Sequence, residues 1–235
     1  MTLEDLKIER EPLSLRGKLV EQLRLAILEG RFAPGERLAE SRLCEAFGVS
    51  RGLLREAMQQ LAAEELVVNI PHRGPVVASI DRRQAEEIYR VRGVLEGLAA
   101  EDFVRNATAE QRQQLYDITA ELHALADESR ASERVEVKNR FYQTLIEGAD
   151  NRVVGQFLVQ LNNRVSQLRR LSLSVPGRYP ETLQEINRII DAIRAGDAAA
   201  ARAAAEDHVR RATDVILAQF PASTSGKGPD QQKEE

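Results

Sequence analysis

Cysteine, tryptophan and long apolar runs are scarce or missing in this chain of 235 residues, which has one cysteine, no tryptophan and 4% aromatic residues. A lone Cys44 cannot close an internal disulfide, so a disulfide scaffold and a Cys-rich zinc module are both excluded. No stretch approaches the roughly 20 apolar residues of a membrane span, and the opening MTLEDLKIEREP lacks the apolar core of a signal peptide. A cytoplasmic protein with no membrane partner is expected. An excess of basic charge is missing too: 33 Lys and Arg stand against 37 Asp and Glu, a formal charge of −4. As an average, that balance argues against nucleic acid, whose phosphates are bound by basic patches. What is present is 43% apolar residues, enough for real cores in one large domain or two small ones.

Closely spaced glycine and proline punctuate only the first third, at Gly30, Pro34, Gly35, Gly48, Gly52, Pro71, Gly74 and Pro75. From about Arg83 to Phe220 the pattern is almost uninterrupted amphipathic helix, and 221–235, PASTSGKGPDQQKEE, has no large apolar side chain. The expected division is an N-terminal extension 1–11, a domain 12–79, a linker 80–83, a helical domain 84–220 and a disordered tail 221–235.

In the first domain, Leu15, Leu19, Leu23, Ala26 and Ile27 share a helix face over 13–29, and Gly30 stops it. A Pro-Gly turn follows in RFAPGERL. A short helix near 41–46 buries Leu43 and Phe47, Gly48 breaks it, and Ser50 is placed to cap a third helix running to about Glu64. Helix, tight turn, helix is the plan in which the second helix enters the DNA major groove. LVVNI and PVVASI then read as two strands around PHRG, a small wing.

In the second domain, Asp81 with Gln84 and Thr108 with Gln111 have capping-box spacing. Ile88, Val91, Leu95 and Leu98, then Leu115, Ile118, Leu122 and Leu125, then Phe157, Leu161, Val165 and Leu168 recur every three or four residues. Six helices are expected, at 84–104, 109–128, 131–148, 151–173, 180–195 and 197–219. The fold class is mainly α, a winged helix-turn-helix followed by an all-α six-helix bundle.

The strings Gly30-Arg-Phe-Ala-Pro-Gly-Glu-Arg-Leu38, Phe47-Gly-Val-Ser-Arg51, Leu54-Arg-Glu-Ala57 and Arg73-Gly74 resemble the winged helix-turn-helix of the GntR superfamily of bacterial transcription regulators. The helical part is similar to the FadR-type (FCD) effector domain, through Val91-Arg92 with Leu95-Glu96, Asn151, Ala192-Ile193 with Gly196-Asp197, Ala201 and His208. Six helices rather than seven resemble its VanR-like branch. The resemblance implies a dimeric regulator that reads an inverted-repeat operator in double-stranded DNA and answers to a small molecule. Repression relieved by that ligand is the commoner behaviour it implies.

Arg51 and Arg55 lie four apart at the start of the third helix, on one face and near backbone N–H groups that favour phosphate. A guanidinium can grip guanine O6 and N7 with two hydrogen bonds. The resemblance assigns DNA contact to Arg42, Arg51 and Arg55, with Gly74 at the wing tip where backbone can approach the minor groove; Ser50, His72 and Arg73 flank these. Family members commonly have Thr-Pro or Thr-Thr after the first recognition arginine, where this chain has Gly52-Leu53. A phosphate-binding hydroxyl is therefore lost, and Leu53 either touches a thymine methyl or fills a gap among its neighbours.

Many FCD domains hold a divalent metal with an Asp, a His four residues on and two later His. Flanking motifs put Lys138, Tyr142, Ile186 and His208 at those positions, so no metal and no other cofactor is expected. Lys138, Tyr142 and Leu145 share a face, and His208 lies in an inward stripe with Ala201, Ala205, Ala212 and Val215. Two readings stand for these residues. Either Lys138, Arg92, Tyr142 and His208 bind a small anionic metabolite, an organic acid, or Lys138 pairs with an internal carboxylate such as Glu96 and His208 is a satisfied core histidine. An enzyme is not expected, since no nucleophile with a base, phosphate loop or paired carboxylate is evident. The remaining alternative is a winged-helix interaction protein without a small-molecule effector. Residues 1–80 carry 11 basic and 12 acidic side chains, and 81–220 carry 20 and 22. The mean charge is thus uninformative: a few converging arginines suffice for a compact, salt-sensitive footprint.

Overall fold

Ser14 opens the first helix: its Oγ accepts the Gly17 N–H and starts α1 (Leu15–Leu28). The computed structural model describes residues 14–125, 131–173 and 175–220, so the expected extension 1–11 and tail 221–235 lie outside the described residues. α2 (Glu40–Phe47) ends on Gly48, whose φ of 62° is the left-handed conformation that glycine adopts without a Cβ clash. Ser50 Oγ then accepts the Leu53 N–H at 3.3 Å and starts α3 (Arg51–Ala63). Leu54, Ala57, Met58 and Leu61 of α3 close against Leu19, Leu23 and Ile27 of α1 and against Leu43 of α2. Strands β1 (Val67–Ile70) and β2 (Gly74–Val77) pair antiparallel, Val67 opposite Val77 and Ile70 opposite Gly74. Gly35 N–H donates to Val77 O and Val77 N–H to Glu36 O, which fastens the wing to the loop between α1 and α2.

Six helices follow, as the periodicity predicts: α4 (Arg82–Asn106), α5 (Ala109–Ala124), α6 (Ala131–Ala149), α7 (Arg152–Leu173), α8 (Arg178–Ala195) and α9 (Ala198–Leu217). Thr108 and Gln111 form a complete reciprocal capping box. At Asp81 the carboxylate accepts the Gln84 N–H at 2.7 Å. Asn151 starts α7 by accepting the Val154 N–H, while its amide donates to Asp102 on α4. Phe103, Leu115, Leu122, Phe141, Leu145, Ile186 and Ile190 form the main core, so Ile186, which the resemblance sets at an expected metal position, is apolar packing within it. Ile88, Val165 and Leu168 meet α9 in a second cluster.

Three positions of the apolar stripes are exposed, the first being Leu15 on α1 at 64%. Val91 and Phe157 are 53% and 54% exposed, as are Val94 at 55% and Val153 at 63%. The physical reason is that α4 and α7 already pack on each other through Leu95, Leu98, Val154 and Leu158, and their apolar faces extend beyond what this chain covers.

Candidate functional site

The N-cap at Ser50 fixes where α3 begins and so presents Arg51 on its first turn. Arg51 and Arg42 are exposed and have no ion-pair partner among the described residues. Arg55, one turn on, is different: its guanidinium makes a forked contact with the Glu40 carboxylate, Nε to Oε1 at 3.1 Å and Nη2 to Oε2 at 3.1 Å. Glu40 begins α2, so this pair spans the helix-turn-helix and holds Arg55 in place on the exposed face. Gly52 is exposed, whereas Leu53 is half-buried against the winged-domain core. Of the two roles open to Leu53, gap filling is the one its packing displays. At the wing, β2 already begins at Gly74, so the tip is Pro71-His72-Arg73 and Gly74 lies at its base with φ 81°. His72 takes φ 61° at that tip, and Arg73 Nη2 donates to Gly35 O at 3.0 Å. The exposed arginines thus lie on α2, α3 and the wing, all in one small domain.

The second site is a charged cluster inside the helical domain. Arg92, Lys138, Tyr142 and His208 come together there from α4, α6 and α9, each 4% exposed or less. The Tyr142 hydroxyl lies 2.8 Å from His208 Nε2, and His208 Nδ1 lies 2.7 Å from Glu185 Oε2. Arg178 grips the same carboxylate with two nitrogens, each at 2.7 Å. Burial, reinforced by the charge of Lys138, lowers His208 to about 3, so the imidazole is neutral. A neutral ring then donates from Nδ1 to Glu185 and accepts the Tyr142 proton at Nε2. Burial alone raises the Glu185 carboxyl, but the hydrogen bonds from His208 and Arg178 prevail and bring it down to about 2.

Glu96, the carboxylate considered for Lys138, belongs to Arg92 instead, one turn away at 2.5 Å. Arg92 also lies over the Tyr89 and Tyr142 rings at 5.1 and 5.2 Å. Lys138 Nζ lies 5.9 Å from the Tyr142 ring centre, with no carboxylate in ion-pair range among the described residues. Burial pushes its ammonium well below the usual value, and the charges of Arg169, Arg92 and Arg178 push the same way.

Four participants were missed in the sequence: Arg169, Arg178, Thr182 and Glu185. Arg169 enters from α7 with its guanidinium 4.7 Å from the Tyr142 ring, and it donates to the neutral amides of Asn139 and Asn162. Arg178, Thr182 and Glu185 follow a spacing of four and three on α8, a signal of one helix face that could have been read. Arg169 Nε, Arg178 Nε and Thr182 Oγ1 are buried and have no hydrogen-bond partner among the described residues. With Arg92 and Arg178 each neutralised by a glutamate, Lys138 and Arg169 are left uncompensated. The cluster can therefore accept an anion, by charge and by hydrogen bonding.

Comparison with known proteins bears on both domains. Residues 15–77 match the model described as bacterial regulatory proteins, gntR family, and residues 87–211 match the FCD domain. The HTH-type transcriptional regulator YdhC of Bacillus subtilis (strain 168) is 28% identical over 204 residues, 85% of this chain and 89% of that protein. The galactonate operon transcriptional repressor of Escherichia coli (strain K12) is 26% identical over 209 residues, 80% of this chain and 90% of that one. Among solved structures, E. coli McbR/YncC superimposes with a TM-score of 0.75 at 21% identity, over 88% of this chain and 99% of that one.

Proposed function

The chain belongs to the gntR family of bacterial regulatory proteins and carries an FCD domain, and from that premise we propose a dimeric repressor released by a small organic acid. It is a transcription regulator and not an enzyme. The observation that carries the ligand half is that Lys138 and Arg169 are buried with no carboxylate partner among the described residues, Arg169 Nε itself lacking a hydrogen bond there. A carboxylate there would satisfy groups whose burial otherwise costs free energy. That a similar protein is named a galactonate operon repressor supports both the repressor role and the acid chemistry. The ligand acts if it binds the DNA-competent and DNA-incompetent forms with different affinity, a coupling typically of about 1–3 kcal/mol.

Metal-free binding is part of the same reading. Where metal-holding relatives have carboxylate and imidazoles, this chain has an ammonium at Lys138, a hydroxyl already bonded to His208 at Tyr142, and a core isoleucine at Ile186. Both His208 nitrogens are engaged, so the donor set does not fit a divalent cation. Among the described residues no group of three or more His, Cys, Asp or Glu is placed to hold one.

Dimerisation is supported by the exposed Val91, Val94, Val153 and Phe157 on α4 and α7, and by the two-fold symmetry that an inverted repeat demands. No described helix is long and apolar enough to cross a membrane; a cytoplasmic location accords with a DNA partner. The test of the ligand half is thermal unfolding against a panel of organic acids. At least one acid should raise the midpoint of the wild type and leave Lys138→Ala unmoved. Identical responses from the two proteins remove the proposal.

A further inference from the structure

The cores of the two domains are separate: no described residue of the winged-domain cluster joins a cluster of the helical domain. They meet instead along a grooved seam. Leu25 and Leu28 of α1 face Val135 and Asn139 of α6 across about 500 Å³. Ala63, Glu64 and Glu65 face Gln160, Leu161 and Arg164 of α7 across about 190 Å³. An ion pair crosses this second groove, from Arg164 Nη1 to Glu65 Oε2 at 2.6 Å.

The backbone of Glu65 is unusual. Its φ is 57°, its N–H donates to Ala62 O, and the next N–H, of Leu66, donates to Leu61 O. This is the paired hydrogen bonding of a Schellman helix end, with Glu65 at the left-handed position that glycine normally takes. A side chain with a Cβ is strained there. An exposed ion pair returns little stability, and Glu65 is 60% exposed. As a folding device, glutamate is therefore worse than glycine at this point. What it adds is a charged arm at the end of the recognition helix, reaching the other domain. Its partner is firmly based, because α7 is anchored behind Arg164 by Val165 and Leu168 in the cluster shared with α4 and α9.

We propose that Glu65 is a positioning residue for DNA reading: paired with Arg164, it fixes the pose of α3 on the helical domain. In a dimer that pose sets the separation of the two recognition helices, and hence the half-site spacing selected. The spacing half rests on the regulator reading above; the pairing half does not.

Spin labels at Gln59→Cys on α3 and Gln156→Cys on α7, in a Cys44→Ser chain diluted with unlabelled protein, report the pose by pulsed dipolar spectroscopy. Glu65→Gly relieves the backbone strain, so its unfolding midpoint should not fall, yet its distance distribution should broaden at least twofold. The exchange of charges in Glu65→Arg with Arg164→Glu should restore a narrow one. Distributions of equal width in wild type, Glu65→Gly and the exchanged pair overturn the proposal. In selection from a randomised DNA pool, the wild type should enrich inverted repeats of one spacing and Glu65→Gly at least two. A broadened distance with the single wild-type spacing overturns the role in DNA reading. If the wild type enriches no sequence, the regulator reading fails, and the distance widths alone decide the pairing.

Discussion

His208 and Lys138 are the two residues whose chemistry is most altered by where they sit. His208 stays neutral in the fold down to about 3, whereas an unfolded histidine takes a proton near 6.5. Between those values the unfolded chain binds a proton that the folded chain refuses, so acidification favours unfolding. Glu185, held at about 2, acts in the same direction below about 4.5. Urea unfolding should lose about 2 kcal/mol between pH 7 and 5 through His208, and His208→Gln should lose less than half of that. Lys138 is buried without a carboxylate among the described residues, so Lys138→Met should raise the unfolding midpoint by about 3 °C while abolishing stabilisation by organic acids. A lower midpoint in Lys138→Met would mean that the ammonium is paired after all. In the sequence, Lys138, Tyr142 and His208 were readable because the resemblance to the FCD domain sets them at positions it assigns to a metal. Arg169 was not, because it comes from a different helix and helical spacing carries no information about which helix lies opposite. The fate of Glu96 was open to the sequence in part: Lys138 and Arg92 were both chemically able to claim it, and the i,i+4 spacing that favours Arg92 is the pairing the fold forms.

Elements were far more legible than their contacts. All six helices of the second domain were expected because each combines a 3.6-residue apolar period with a cap or a break, as at Thr108 and Gly196. Periodicity did not, however, separate a stripe facing the core from one extending past it, which is why Val91 and Phe157 belong to apolar stripes and are found exposed. Helix-to-helix approach was also hidden. Gly148 on α6 sits where a Cβ would strike the Phe103 ring of α4, so Gly148→Ala should cost about 1–3 kcal/mol in urea unfolding. At the start of α3, Ser50→Ala removes the cap on the Leu53 N–H and should cost about 1 kcal/mol. Because Arg51 is the next residue, fraying there should weaken DNA retention more than this small loss of stability explains.

For the molecule as a whole, the acidic mean charge misled and the placement of charge informs. Many acids are engaged with arginines, as Glu96 is with Arg92 and Glu185 with Arg178, while Arg42 and Arg51 remain unpaired and exposed among the described residues. Exposed apolar side chains on α4 and α7 offer a surface that a second copy can cover. Val94→Glu with Phe157→Glu should turn a dimer in sedimentation into a monomer of unchanged helicity; a dimer that persists would move the interface elsewhere. The most direct test of the account is retention of DNA by the full chain, with sequences drawn from a randomised pool at low salt. The wild type should enrich one inverted repeat and lose it steeply as salt rises, and Arg51→Ala with Arg55→Ala should remain folded and enrich nothing. Enrichment of no sequence by the wild type, or equal enrichment by the double variant, would contradict it.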